Sequence, residues 1–307
     1  MRKITWFVLA LLLCLAAARA DAVVLRYALK KNDVARFQEM NAAAARTTFN
    51  LQGQPQSQTT QFTQNAVYRE TVADLTPGGA ILLVRAMEAG KSTHQMPGQQ
   101  EKISQDMPKS KTLIKMTPLG NVLSARTSFP ESASQESPSG PSQTDPRSLG
   151  LDMATLEAVF SHIPFPERDV KPNDTWKDEV RLPGFVGSQA VTITFTSRLL
   201  GLGPYKGRNC ARIRTAFEIP LEMDLGQVMG RMLPQGSSGE ADTKGKIVGR
   251  LDWQFDYNRG HVVYAEGPMQ MTANASFTYT DAEGKPIVGS VNFAMKANGK
   301  TWLIEEK

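Results

Sequence analysis

The stretch "VKPNDTWKDE", residues 170–179, repeats the grammar of "LKKNDVARFQ", residues 29–38. Asn tolerates the left-handed backbone region, and Asp bonds nearby amides, so Asn32-Asp33 and Asn173-Asp174 read as turns that open strands. A second pair of landmarks, Gly120 and Gly260, recurs after nearly the same interval of about 140 residues. Gly79 pairs with Gly207 at a shorter interval. The longer loop "GQVMGRMLPQGSSGEADTKGK", residues 226–246, restores the difference, as insertions in surface loops do. The chain therefore reads as a duplicated unit.

Outward from the first turn lie strand-like runs: "VVLRYAL" (23–29), "VARFQEM" (34–40), "NAVYRETVADL" (65–75), "AILLVRAMEA" (80–89) and "KTLIKMTP" (111–118). The alanines of "QEMNAAAART" favour helix, but period-two patterning on both sides argues for a strand broken near residues 42–45. "NLQGQPQSQTTQFTQN", residues 50–65, reads as a long solvated hairpin loop. "LDMATLEAVFSHI", residues 151–163, has apolar residues at helical spacing and ends at Pro164 and Pro166, so it reads as one amphipathic helix. Beyond it "QAVTITFTSRLLGL" (189–202) and "RLDWQFDYN" (250–258) alternate again. Two long runs, 261–280 and 286–306, read as strands paired across the 281–284 turn.

The expected fold is mainly β: two related, curved antiparallel sheets, half-barrel-like, with one short amphipathic helix at the junction. The expected organisation is a signal peptide (1–20), an N-terminal β domain (21–130), a linker (131–149), and the junction helix with a C-terminal β domain (150–307). The linker "ESASQESPSGPSQTDPRS" has no large apolar residue to offset its ordering entropy, so it is expected to be disordered.

The first twenty residues carry Arg2 and Lys3, an apolar run from Ile4 to Ala18, and the small-x-small ending Ala18-Arg19-Ala20. This is a secretory signal with cleavage expected after Ala20, and the run is shorter than the ~20 residues a membrane span needs. Leu13 stands where lipid-attachment signals carry a small residue, so Cys14 reads as an ordinary residue of the apolar run. Cleavage removes three basic residues and no acid, taking the formal net charge from +5 to +2. That balance offers no electrostatic case for nucleic acid or an anionic membrane surface. Cys210 is the only cysteine beyond the signal, so no internal disulfide is expected in an oxidising compartment. An exported protein, periplasmic or extracellular and without a later transmembrane segment, is the expectation.

The junction "HIPFPERDVKPNDTW", residues 162–176, resembles a family of uncharacterised bacterial secreted proteins. Those proteins share a short helix, a Pro-rich turn and a Val-Lys-x-Gly-Asp-x-Trp phrase. Here Asn173 stands in place of the Gly, as Asn32 does in the first half. The resemblance implies the fold and the export but no activity.

No arrangement in the sequence meets the needs of catalysis. His94, His162 and His261 lie at no metal-ligand spacing, so no metal or cofactor is expected. "GSSG" at 236–239 lacks the strand-turn-helix elbow of a serine hydrolase. Cys210 lies mid-strand near Arg208, Arg212 and Arg214, where a buried thiol is expected rather than a reactive one. Asp252 and Asp256 read as a solvated strand face. Asp33 and Asp174 read as turn residues, and Trp176 as packed into the sheet beside the helix. "NAS" at 274–276 falls mid-strand, a poor glycosylation site. No catalytic or metal residue is assigned, and no binding residue is identified.

The expected role is non-catalytic: a carrier or scaffold in the bacterial envelope for a lipid or other apolar molecule, because a curved sheet covered by a helix leaves a cavity. The alternative is a module that binds an envelope protein through strand edges or the 226–246 loop. An outer-membrane barrel is disfavoured by the ending "WLIEEK" and by the lack of aromatic girdles.

Overall fold

The two Asn-Asp turns have the same backbone, bond for bond. Asn32 and Asn173 are left-handed, with φ of 72° and 76°. The Asp33 carboxylate accepts from Lys30 N (2.6 Å), and the Asp174 carboxylate accepts from Lys171 N (3.1 Å). Asn32 N donates to Val72 O and receives the chain back through Val72 N to Asp33 O; Asn173, Asp174 and Leu199 do the same. Both turns thereby fix the register of the strand that follows. The two phrases repeated in the sequence thus share their hydrogen bonds as well.

The structure, a computed structural model, describes residues 22–129, 153–224 and 238–306, apart from positions 52, 96, 97, 99, 100, 187, 188 and 281–284. The expected signal peptide (1–20), the linker (131–149), the 281–284 turn and most of the 226–246 loop lie outside the described residues. The strands are β1 (Val34–Leu51), β2 (Gln54–Leu75), β3 (Ile81–Gln95), β4 (Ile103–Asp106), β5 (Lys111–Met116) and β6 (Val122–Ser128). Helix α1 (Met153–Ser161) follows, then β7 (Thr175–Val186), β8 (Gln189–Tyr205), β9 (Arg208–Asp224), β10 (Ser238–Asp256), β11 (His261–Thr280) and β12 (Pro286–Glu306).

All pairings are antiparallel, in the order β6-β5-β3-β2-β1-β12-β11-β10-β9-β8-β7, with β4 beside β3. The mainly β, curved antiparallel architecture with one short helix at the junction is the expected one. The two halves form one sheet instead of two, because β1 pairs with β12 along nearly its whole length. At about 3.3 Å per residue, the 21 residues of β12 span roughly 70 Å. The sheet curls nearly into a barrel. Helix α1 lies at the gap between the outermost strands, packing on β6 and touching β5 and β7.

Glycines let the sheet coil tightly. A Cβ at Gly249 would lie 2.3 Å from the Phe217 ring, and one at Gly289 would lie 2.3 Å from the Phe277 ring. The inner face buries a small cluster of Ala66, Tyr68 and Met87 and two larger ones. One gathers Leu25, Tyr27, Leu83, Ile114, Ile213 and Phe255; the other gathers Val159 of α1 with Ile193, Phe195, Phe217 and Ile219.

Four local expectations are corrected. Strand β1 runs unbroken through Ala42–Ala45, because β12 and β2 together pair its backbone along both edges and outweigh helix propensity. Residues 50–65 are not a long loop: β1 continues to Leu51 and β2 starts at Gln54, with Thr48 and Ser57 hydroxyls bonded across the strands at 2.8 Å. Residues 238–246 of the expected loop belong to β10 and pair with β11. The run 23–29 makes only one bridge, Val23 to Val170, yet Leu25 and Tyr27 are buried, so it acts as a strap over the inner face.

The hinge glycines hold that strap. Gly120 (φ 86°) lies where a Cβ would be 2.1 Å from Ile163 O, and Gly260 (φ 71°) where one would be 2.1 Å from Ala28 N. Each hinge therefore packs against the segment that leads into the other half's turn.

Candidate functional site

A cavity of about 360 Å³ lies inside the curl, beneath the strap and beside the end of α1. Its body is apolar, lined by Phe37, Val72, Leu83, Trp253, Val262 and Ala265. These residues come from β1, β2, β3, β10 and β11, whose period-two alternation turns them to the same side. Tyr27 of the strap covers the cavity, with its ring 5.3 Å from Phe255 and its hydroxyl accepting from Ile163 N at 2.9 Å. Burial raises the Tyr27 hydroxyl far above its ordinary range, so it stays neutral.

The inner end of the cavity is polar. Arg85 on β3 is only 4% exposed. Its Nη2 donates to Glu39 on β1 at 2.7 Å, its Nη1 donates to Ser161 Oγ at 2.6 Å, and Glu70 on β2 lies 3.6 Å away. The guanidinium sits 4.1 Å from the centre of the Tyr68 ring. Burial opposes the charge of Arg85, but the carboxylates of Glu157, Glu39 and Glu70 outweigh it and hold the group protonated. Glu157 reaches in from an exposed position on α1, 3.6 Å from Arg85 Nε, too far for a hydrogen bond. Arg85 Nε–H and the indole N–H of Trp253 are both buried without a hydrogen-bond partner.

The outer end is a mouth of charged groups. Glu306, near the end of β12, meets Arg208 at 2.7 Å and Arg259 at 2.8 Å, with His261 Nε2 at 3.5 Å. Burial alone would raise the Glu306 carboxyl, but the Arg259 hydrogen bond, His261 and Arg208 hold it below its ordinary range. Asp256 was expected on a solvated face and is instead 3% exposed, accepting from the amides of Asn258 and Arg259 at 3.1 Å each. It caps the Gly260 turn and stands opposite the buried Cys210 of β9. Asp252 keeps its expected surface place, accepting from Arg214 at 2.7 Å.

Inside the curl and beyond the cavity, the same inner face continues along the long central strands. Ala43, Ala297 and Met269 stand in one cross-strand row, and Ala45, Met295 and Met271 in the next. The first row begins two ladder positions past Asn41, Gly299 and Gly267, and the half-buried Met269, Met271 and Met295 face inward while Gln270 and Lys296 face out. Met269 and Met271 thereby pack against the second cluster.

The remaining sequence candidates fall outside this arrangement, apart from His162, His261 and Asp33, which line the cavity. His162 Nδ1 lies 2.8 Å from Ala158 O at the end of α1, and burial lowers its basicity. His94 packs on Phe62 with ring centres 4.9 Å apart. Cys210 is buried, and burial pushes its thiol up to about 11. Asp33 and Asp174 serve their turns. Trp176 is buried and donates to Pro164 O at 2.9 Å, just past the helix. Among the described residues no group of three His, Cys, Asp or Glu side chains could hold a metal ion, and no helix is long and apolar enough to cross a membrane.

Arg85, Glu39 and Glu70 were absent from the sequence candidates, yet a signal for them existed. Each interrupts the buried parity of its strand: Arg85 between Leu83 and Met87, Glu39 after Phe37, Glu70 between Tyr68 and Val72. A charge in an apolar register on three strands is improbable unless the charges meet.

No protein-family model matches the chain, and no curated protein matches its sequence. Among solved structures, OccK7 (OpdD) of Pseudomonas aeruginosa aligns over 88% of this chain and 100% of its own, at 6% identity and a TM-score of 0.23. A DUF1329 family protein from Desulfovibrio piger aligns over 83% of each chain, at 9% identity and a TM-score of 0.13. At such TM-scores neither likeness carries an argument about this chain.

Proposed function

We propose that this chain is a non-catalytic carrier, exported to the bacterial envelope, that holds one small apolar ligand in the cavity between sheet, strap and helix. The observation that carries the reading is the cavity itself: about 360 Å³ of space walled in part by Phe37, Val72, Leu83, Trp253, Val262 and Ala265, with charged groups beside them. Ligand pockets run from about 300 to 1,000 Å³, so this one suits a single small molecule or one chain of a larger one. Export rests on the signal-like first twenty residues and on the resemblance at 162–176.

Native mass spectrometry of the protein purified from its own envelope tests this directly. A small apolar molecule that co-purifies and is lost on filling the cavity with Ala265→Phe is the expected result. A protein that arrives ligand-free and binds no apolar probe would overturn the carrier. A second reading, docking of an envelope protein by strand addition, draws on β7, the last strand in the sheet order. In that case a proline in β7 would abolish capture while Ala265→Phe would not.

A further inference from the structure

The polar groups at the cavity's inner end discriminate among head groups, given that the cavity is a ligand site as proposed above. Two buried donors on residues that line the cavity lack partners, Trp253 Nε1–H and Arg85 Nε–H. Trp253 is 3% exposed and Arg85 is 4% exposed, so both donors are turned to the protein interior. An unmade hydrogen bond at a buried donor is costly, and a ligand oxygen would remove that cost.

The charge balance limits what kind of oxygen it is. Around the single guanidinium of Arg85 stand Glu39 and Glu70, each with a side chain only 15% exposed, and Glu157 from the rim. Carboxylates therefore outnumber the cation. A ligand carboxylate or phosphate would add a further negative charge to a low-dielectric site already in surplus. A ligand cation would suit the surplus but would leave both N–H donors without an acceptor. Only an uncharged acceptor meets both conditions.

We infer that the cavity selects an uncharged amphiphile: one apolar chain ending in an ester, amide or hydroxyl head, whose polar atoms accept from Trp253 Nε1 and Arg85 Nε. The chain lies among Phe37, Val262 and Ala265, which line the cavity. Glu39 and Glu70 exclude anionic heads of the same chain length.

Isothermal titration of the full chain, freed of its signal, with monomyristoylglycerol, myristic acid and tetradecyltrimethylammonium at neutral pH tests this. Monomyristoylglycerol is expected to bind at least about tenfold more tightly than either charged probe, one charge-assisted mismatch being worth that much. Acidification through the probe's own carboxyl range should bring myristic acid toward the glyceride. Trp253→Phe, which removes the donor and keeps most of the ring, should weaken the glyceride about five- to tenfold and leave the ammonium probe unchanged. Should that variant misfold, Glu39→Gln supplies the converse reading, a gain in myristate affinity. Equal binding of all three probes would overturn the head-group inference while leaving the carrier intact. Binding of none would overturn both.

Discussion

The same ladder position carries opposite chemistry in the two halves. In the first half Val72 closes the entry turn and pairs with Leu83, and one step further along the inner face Glu70 pairs with Arg85. In the second half Leu199 closes the turn and pairs with Ile213, and the next inward pair is Ser197 with Thr215, bonded hydroxyl to hydroxyl at 2.9 Å. Beyond them Tyr68 and Met87 in one half match Phe195 and Phe217 in the other. The two halves share the backbone devices and differ on the inner face: the first carries buried charge beside the cavity where the second carries a neutral hydroxyl pair.

A second difference concerns the strand after each hinge. The hairpin containing Gly260 is followed by β12, which pairs with β1 and seals the two halves together. After the hairpin containing Gly120, the next described element is α1, which packs beside β6 at the gap. One seam is closed by backbone hydrogen bonds and the other by side-chain packing. The second is the softer of the two, and the cavity lies beside its helix.

The sharpest test of this asymmetry is removal of charge from one half and hydroxyl from the other. Arg85→Met leaves Glu39 and Glu70 buried without their cation and should cost about 3–5 kcal/mol in denaturant unfolding. Ser197→Ala removes half of a neutral pair and should cost only about 1 kcal/mol. Comparable losses would mean that the two positions are energetically alike, and the divergence would be cosmetic.

The hinges should break in parallel. Gly120→Ala and Gly260→Ala each combine a left-handed backbone with overlap against the opposing segment, and should cost about 2–4 kcal/mol. Gly207→Ala, at φ 76° with open space around it, should cost about 1–2 kcal/mol. A hinge variant no worse than Gly207→Ala would show that its half does not hold the strap.

Smaller effects should separate with pH. Burial lowers the basicity of both His162 and His261, so the unfolded chain takes up their protons more readily than the folded one. Their stabilisation is complete above the ordinary histidine range near pH 6.5 and is lost as pH falls below it, at up to about 1.4 kcal/mol per pH unit each. Thermal melts between pH 7.5 and 5 should reveal the slope, and His162→Gln should flatten part of it. The smallest effect is chemical: Cys210, buried and with its thiol pushed up to about 11, should resist alkylation at neutral pH until the protein unfolds. Rapid labelling of the native protein would contradict its burial.

The sequence by itself determined the strands, the junction helix, the duplicated turns and the hinge positions. All of these depend on local chemistry: side-chain period, proline and glycine conformations, and Asx hydrogen bonds within three residues. It misjudged residues 42–45 and 50–65, where alanine and glutamine are poor strand formers and only the neighbouring β12, β1 and β2 decide the matter. It left open whether the halves join, because the β1–β12 ladder links residues more than 230 positions apart and backbone pairing leaves no local mark. The cavity and its charged end belong to the tertiary structure for the same reason. Glu39, Glu70 and Arg85 are ordinary residues on three strands until the curl of the sheet turns them toward one another, beneath a strap that the sequence had presented as another strand.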